Sequence, residues 1–227
     1  MKCEINEDVS ELIGVIIGDG CISKYKPKDR AERTVLLITG NWETDRKYYE
    51  QTLMKSFKEN FQYDANLYHR KDDNTARLWV YDKSVVSFFI QIGLKVGPKK
   101  DITIPKKIFQ KKRNLISCIR GIFNTDGSVY SRYSKKYKRH AKKYTNYAVT
   151  EFKSKSKKLI KQIKNSLQKI GIKTTVISKP KGKSTSVVRI TSQKNVKKFF
   201  TSINPRKYHW ERYKKIINPS LPKASDN

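Results

Sequence analysis

Apolar residues fall at helical spacing near the start of the chain. Leu12, Val15, Ile16 and Asp19 lie at i, i+3, i+4 and i+7, which predicts a helix over 9–20. Asp8 and Glu11 read as a capping box at its start, and Gly20 as its C-terminal cap. Residues 33–40 are β-branched and strand-like, and 44–60 read as a helix. Residues 63–69 and 75–82 predict a hairpin around Asp72, Asp73 and Asn74. A further helix over 83–93 ends at Ile92-Gly93.

The same order starts again at residue 114. Asn114 reads as the cap of a helix running to Asp126, with Ile119, Ile122 and Phe123 at the earlier spacing. Strands are predicted near 127–133 and 145–152, then a helix over 155–170 that ends at Gly171. Strands near 173–178 and 185–191 flank a turn from Pro180 to Lys183, and a helix covers 194–202. Asp19 aligns with Asp126 (126 − 19 = 107), and Phe88-Phe89 aligns with Phe199-Phe200 (199 − 88 = 111). The chain therefore reads as two αββαβ-type units of about 110 residues, an internal duplication. Their bounds are 1–94 and 114–217, with a linker over 95–113 and a tail over 218–227.

Charge adds a partner class. The 227 residues carry 51 Lys+Arg and 20 Asp+Glu, a net charge of +31. An apolar share of 37% is too high for a disordered basic tail, so the surplus belongs to a folded protein. Nucleic acid is the polyanion of first choice, because phosphates neutralised by Lys and Arg release counterions. An anionic membrane surface fits less well, since no basic amphipathic helix dominates and no apolar run could span a bilayer. Three scattered cysteines read as reduced intracellular thiols, and the N-terminus lacks a signal-peptide pattern. Residues 1–113 hold 22 bases and 16 acids (+6), whereas 114–227 hold 29 and 4 (+25). Any carboxylate kept in the second half therefore asks for a reason.

The two predicted helices carry the chemistry. Leu12 to Gly20 (LIGVIIGDG) and Ile119 to Gly127 (IRGIFNTDG) each place small residues four apart, Gly14 with Gly18 and Gly121 with Thr125. That spacing lets two helix backbones approach closely. Each helix ends in Asp-Gly. A carboxylate at the negative end of a helix dipole costs about 0.3–1 kcal/mol. Two such ends side by side repel further, and a divalent cation relieves both effects. Carboxylates, metal and a basic surface together predict phosphodiester hydrolysis.

At this point the chain resembles the LAGLIDADG homing endonucleases in their monomeric, two-motif form. The likeness rests on the two Asp-Gly motifs, the repeat, and Gly97-Pro98-Lys99 followed by Ile104-Pro105, and it runs from about 8 to 217. It implies an α+β fold of two pseudo-symmetric αββαββα halves, with antiparallel sheets forming a saddle over DNA and two central packed helices. It implies a site-specific double-strand endonuclease of intron-mobility type. Such an enzyme cuts across the minor groove of a long asymmetric target and leaves short 3′ overhangs. Asp19 and Asp126 would be the catalytic, metal-binding acids, with Gly18 and Thr125 lending backbone carbonyls. Lys99, or Lys100 beside it, would stabilise phosphate charge or orient water. Asn41 and Lys153 take the polar positions at the second-strand ends. Mg²⁺ is the expected cofactor, with Mn²⁺ or Ca²⁺ able to fill the same sites.

The strand faces offer Lys24, Lys26, Lys28, Arg30, Arg33, Arg70, Arg77, Arg132, Lys135, Lys138, Lys179, Lys181, Lys183 and Arg189 as DNA contacts. Leu67, Leu78, Val80, Val176 and Val188 should meet the helices instead. Two other readings compete. Asp126 with Glu151-Phe152-Lys153 matches a looser metal-nuclease pattern, but leaves Asp19 and the repeat unexplained. Binding of the protein's own intron RNA, as maturases of this family do, fits charge and aromatics equally well, but gains nothing from two acids. His69, His140 and His209 stand apart and read as surface or packing residues, and no Walker-type phosphate loop is present. The expected setting is an intracellular, free-standing monomer on double-stranded DNA.

Overall fold

The computed structural model describes residues 3–26, 32–99, 101–134 and 142–218, with side chains described outside 133–134 and 142–145. Lys28, Arg30, Lys135 and Lys138 lie outside these, as do their predicted DNA contacts.

The N-terminal half runs α1 (Glu7–Gly18), β1 (Gly20–Tyr25), β2 (Arg33–Asn41), α2 (Trp42–Tyr48), α3 (Lys55–Phe61), β3 (Asn66–Arg70), β4 (Thr75–Val80) and α4 (Lys83–Gln91). A π-helical segment, Tyr49–Met54, joins α2 to α3 without a break. The C-terminal half follows with α5 (Lys112–Asp126), β5 (Gly127–Ser134), β6 (Lys142–Ser154), α6 (Lys157–Lys169), β7 (Ser186–Ile190), α7 (Gln193–Ile203) and α8 (Lys207–Ile217). The strands form two antiparallel sheets, ordered β1-β2-β4-β3 and β5-β6-β7. The duplicated α+β order is thus present, and each half pairs the strand after its central helix with the next strand.

Several local features differ from the sequence reading. Asn6, not the Asp8–Glu11 pair, caps α1 by accepting from the Val9 N–H. Helix α1 closes at Asp19, whose N–H reaches the Val15 carbonyl at 2.8 Å, while Gly20 begins β1. Gly20 is needed for space rather than for a left-handed cap, because a β-carbon there would press on the Ile16 backbone. Helix α5 starts at Lys112, and Asn114 is buried inside it, donating at 2.7 Å to the Ile5 carbonyl. The predicted strand over 173–178 makes only one isolated bridge, Ser178 with Val187, so Val176 is 76% exposed instead of meeting a helix. Alternation alone could not signal that this segment runs along the sheet edge without a ladder. Helix α8, which the αββαβ reading stopped short of, returns across β5 and β6 and buries His209 and Tyr213.

Helices α1 and α5 form the seam between the halves and make the most extensive contact of any helix pair. Small residues permit it. A β-carbon on Gly14 would overlap the Cys118 carbonyl oxygen, one on Gly121 the Glu11 carbonyl oxygen, and one on Gly18 the Thr125 hydroxyl. The core lies on one face of each sheet: Leu36, Ile38, Leu78 and Val80 in the first, Phe152, Val188 and Ile190 in the second. Phe199 packs edge-on against Phe123 at 4.8 Å, and Phe89 against Phe57 at 6.2 Å, so each half closes its core with an aromatic cluster. The linker is pinned to both halves. The Gly97 N–H donates to Ile22 O at 2.8 Å, and Gln162 holds the Ile104 N–H at 2.8 Å.

Candidate active site and nucleic-acid interface

Close helix packing brings the ends of α1 and α5 together, and with them Asp19 and Asp126. Lys99 arrives from the linker, where Gly97 takes a φ of +85° to turn the chain inward. The Lys99 ammonium donates to Ile17 O at 3.1 Å and to Gly18 O. It therefore sits on the negative end of the α1 dipole.

The electrostatics match two carboxylates forced into one place. Desolvation raises the Asp19 pKa to about 7, and the charge of Asp126 pushes the same way, with Lys99 and Arg206 opposing. Asp126 keeps an exposed edge, yet the protein behind it still raises its pKa by desolvation, against Lys99. Desolvation lowers the Lys99 pKa, while Asp126 and Asp19 hold its proton on. Two carboxylates and the Gly18 carbonyl form a hard oxygen set that suits Mg²⁺ or Ca²⁺ better than a soft metal. The ammonium already resting on Gly18 O marks this place as cation-seeking. The Thr125 hydroxyl donates back to the Gly121 and Ile122 carbonyls at 3.0 Å, so its side chain packs in the helix seam.

Strand register relocates the flanking polar positions. Gly20 pairs with Ile38, and Gly127 with Phe152. Lys153, one residue past Phe152, therefore corresponds to Thr39, while Asn41 corresponds to Lys155 (38 + 3 and 152 + 3). The sequence alignment of Asn41 with Lys153 is out of step by two residues. The Asn41 side chain caps α2, accepting from the Thr44 N–H at 3.1 Å, and Lys153 is exposed. Thr39, whose N–H points to Asp19 O at 3.4 Å, was not picked out from the sequence.

Away from the core, the sheets present open faces. Thr39, Arg77 and Tyr68 stand in one row of the first sheet, and Ser128, Glu151 and Arg189 in one row of the second. Lys26, Arg33, Lys179, Lys181 and Lys183 are exposed. Three other cations are engaged at the surface: Lys24 pairs with Glu32 at 2.9 Å, Arg70 faces Asp72 and Asp73, and Arg132 lies 4.9 Å over the Tyr147 ring. Arg189 donates to Glu151 at 2.6 Å and to Tyr130 at 3.2 Å. Glu151 is thus the partner of an arginine, which gives one of the four acids of the basic half a structural reason.

A buried network beside the motifs was missed in the sequence. Glu11 accepts from Arg120 at 2.9 Å, Tyr48 at 2.6 Å and Asn124 at 3.1 Å. Asn124 also accepts from the Arg206 N–H at 2.9 Å, and the Arg206 guanidinium meets Asp45 at 2.5 Å. Arg120 inside one otherwise apolar motif, and Glu11 immediately before the other, were the available signal. The symmetry-related positions are apolar: Cys118 for Glu11, Ile13 for Arg120 and Ile17 for Asn124 (each 107 apart). His209 packs 4.7 Å from Phe123, and desolvation lowers its pKa to about 4, so it is a neutral core residue.

Comparison with known proteins agrees with this geometry. Residues 114–204 match the family model for a LAGLIDADG-like domain. The whole chain has the fold of the monomeric, two-motif homing endonucleases. A crystal structure of I-DmoI with DNA and Mn superposes with a TM-score of 0.63 at 20% identity, covering 88% of this chain and 97% of that one. I-DmoI with DNA and Ca gives 0.64 at 20% identity, covering 88% and 90%. The I-LtrWI LAGLIDADG homing endonuclease bound to target DNA gives 0.62 at 16% identity, covering 95% and 91%. No curated protein matches the sequence. Among the described residues, no helix is long and apolar enough to cross a membrane.

Proposed function

We propose that the chain is a divalent-metal-dependent, site-specific double-strand DNA endonuclease of the LAGLIDADG type. The observation that carries this reading is the meeting of Asp19 and Asp126 at the ends of two packed helices, with the Lys99 ammonium between linker and motif. A binding protein has no use for two mutually repelling carboxylates whose desolvation Lys99 offsets only in part. The solved relatives carry DNA and divalent cations in their crystals, which supports the same partner and cofactor class here.

In this reading Asp19 and Asp126 hold Mg²⁺, with the Gly18 and Thr125 carbonyls as further oxygen donors and Mn²⁺ or Ca²⁺ as substitutes. A divalent metal held there would supply polarisation of the phosphate and a lowered pKa of bound water. The protein's own residues do the rest. Lys99 stabilises charge on the phosphate or orients the attacking water, and the open sheet faces hold the duplex. Lys153 and Asn41, with Thr39 by register, line the approach to the two acids. Residues 1–94 and 114–217 act as the two repeat domains and 95–113 as their linker, with 218–227 as a tail. One chain supplies both motifs, so the working form is a monomer on a long asymmetric target, cutting across the minor groove to leave short 3′ overhangs. No observation favours the intron-RNA reading over this one.

The test is selection of cleavable duplexes from a randomised DNA library with Mg²⁺. The wild type should yield a defined target with short 3′ overhangs. Asp19→Asn and Asp126→Asn should lose cleavage while retaining binding to that target. Binding without cleavage by the wild type would overturn the reading.

A further inference from the structure

The excess charge of the C-terminal half is not confined to its open sheet face. Helices α6 and α7 bury Leu159, Ile160, Ile163, Val196 and Phe199 against the core side of β6 and β7. Their solvent sides therefore face away from Lys153, Glu151 and Arg189. That outer side is lysine without acid: α6 has five Lys and no Asp or Glu, and α7 has three and none. Lys157, Lys161, Lys169, Lys194 and Lys197 are all exposed.

The duplication supplies an internal control. The counterpart of α6 is the helical stretch 42–61, which has four acids and four bases. There the charges pair along the helix, Arg46 with Glu50 at 2.7 Å and Lys55 with Glu59 at 3.6 Å. On α6, Lys157 and Lys161 stand at i,i+4 with the same sign, as do Lys194 and Lys198 on α7, a spacing that destabilises a helix. Among the described residues only Lys158 of these two helices faces an acid, Asp101, at 3.9 Å, and Lys198 donates to the Gly171 carbonyl at 3.0 Å. One fold, used twice in one chain, solvates this helix with ion pairs in one half and with repelling cations in the other. Solvation alone therefore does not account for the lysines.

We propose that the outer face of α6 and α7 is a second polyanion surface, which holds the phosphate backbone of a separate segment of duplex DNA without regard to sequence. This rests on the reading of the open sheet faces as the first duplex site. The chemistry points to a duplex. The face offers point charges and small polar groups, no arginine fork for base edges, and no exposed aromatic ring on which unpaired RNA bases could stack. A protein that holds two segments at once can pass between them during its search for a target.

The test uses a 30-base-pair duplex of arbitrary sequence without divalent metal. Binding and stoichiometry are followed by anisotropy and sedimentation across salt. The variant is Lys157→Gln/Lys161→Gln/Lys194→Gln/Lys197→Gln, which spares Lys158 and Lys198. The wild type should bind a second duplex at low salt, and the variant should lose it. Four phosphate contacts predict a salt slope shallower by about 3.6, equivalent to about 10²-fold in affinity between 50 and 200 mM salt. Thermal melting guards against misfolding, and relief of repulsion should leave the variant at least as stable as the wild type. Unchanged slope and stoichiometry would overturn the proposal, as would a preference of this face for a looped RNA hairpin over the duplex. Cleavage is read separately, so loss of the endonuclease reading would appear in the library selection and not in this slope.

Discussion

The Lys99 ammonium rests 3.1 Å from the Ile17 carbonyl oxygen, at the end of a helix from the opposite side of the linker turn. This contact places a cation where the α1 dipole, Asp19 and Asp126 all concentrate negative potential. Lys100, the alternative in the sequence, lies outside the described residues. Replacing Lys99 by Met should lower single-turnover cleavage about 10²–10³-fold, the loss expected when one positioned charge is removed from a developing negative charge. Duplex affinity should stay within about threefold. Parallel rapid-quench and binding measurements would separate the two effects.

Asp19 gives a pH dependence with a definite sign. Its folded pKa of about 7 stands above the ordinary value of 3.8. Between those values the native state keeps a proton that the unfolded chain has released, so this group's contribution to stability falls as pH rises from about 4 to about 7. In the presence of chelator, Asp19→Asn should therefore gain stability over the wild type at pH 8 and gain little at pH 4.5. The difference should be on the order of 1–2 kcal/mol after allowance for solvent near the carboxyl, or several degrees in Tm. Metal binding should release a proton and tighten as pH rises through 7. Melting curves and calorimetry in two buffers of different ionisation enthalpy test both statements.

The Glu11–Arg120 pair crosses the seam with side chains only 9% and 26% exposed. Arg120→Met leaves a buried carboxylate with two neutral partners and should cost about 3–5 kcal/mol, as broken buried pairs do. Glu11→Gln/Arg120→Met should recover a large part of that loss. Urea unfolding of the singles and the double closes the cycle, and additive losses would remove the pair from the stability of the seam.

This pair also marks the limit of what the chain reveals before folding. The duplication, the two motif helices and the close approach at Gly14 and Gly121 are legible because periodicity and small-residue spacing are local properties. Glu11 read as a capping residue because its partners lie 109 and 113 positions away. Sequence offset matches Asn41 with Lys153, whereas the hydrogen-bond register of the strands matches Thr39 with Lys153. The caps of α1 differ from the sequence reading at both ends: the Asn6 side chain accepts from the Val9 N–H, and the Asp19 backbone N–H closes the last turn on the Val15 carbonyl. Both Asp-Gly ends sit together for a reason that was visible, namely that the same small-residue helix occurs twice.

The helix seam makes its own prediction. A β-carbon on Gly14 meets backbone, the Cys118 carbonyl, so neighbouring side chains cannot yield to it. Gly14→Ala should cost about 1–3 kcal/mol or more through separation of α1 and α5. It should slow cleavage beyond the loss of folded protein, because Asp19 and Asp126 move apart. Activity normalised to the native fraction by circular dichroism measures this; full specific activity in the folded fraction would show that the acids tolerate a wider seam.

On the open face of the second sheet, Glu151 holds the Arg189 Nε at 2.6 Å and Tyr130 donates to the same carboxylate oxygen at 2.9 Å. A fixed guanidinium reads a base edge better than a free one, because less side-chain freedom is lost on binding. Arg189 is therefore expected to select guanine through its O6 and N7 acceptors at one position of the target. Arg189→Ala should relax the base preference at that position by about 1–3 kcal/mol. Glu151→Gln should relax it while keeping the arginine's charge, so non-specific affinity for duplex DNA should not fall. Sequencing of targets selected by the wild type and the two variants tests this directly. Equal guanine content at every position in all three sets would assign the Glu151–Arg189 pair to holding β6 and β7 together and nothing more.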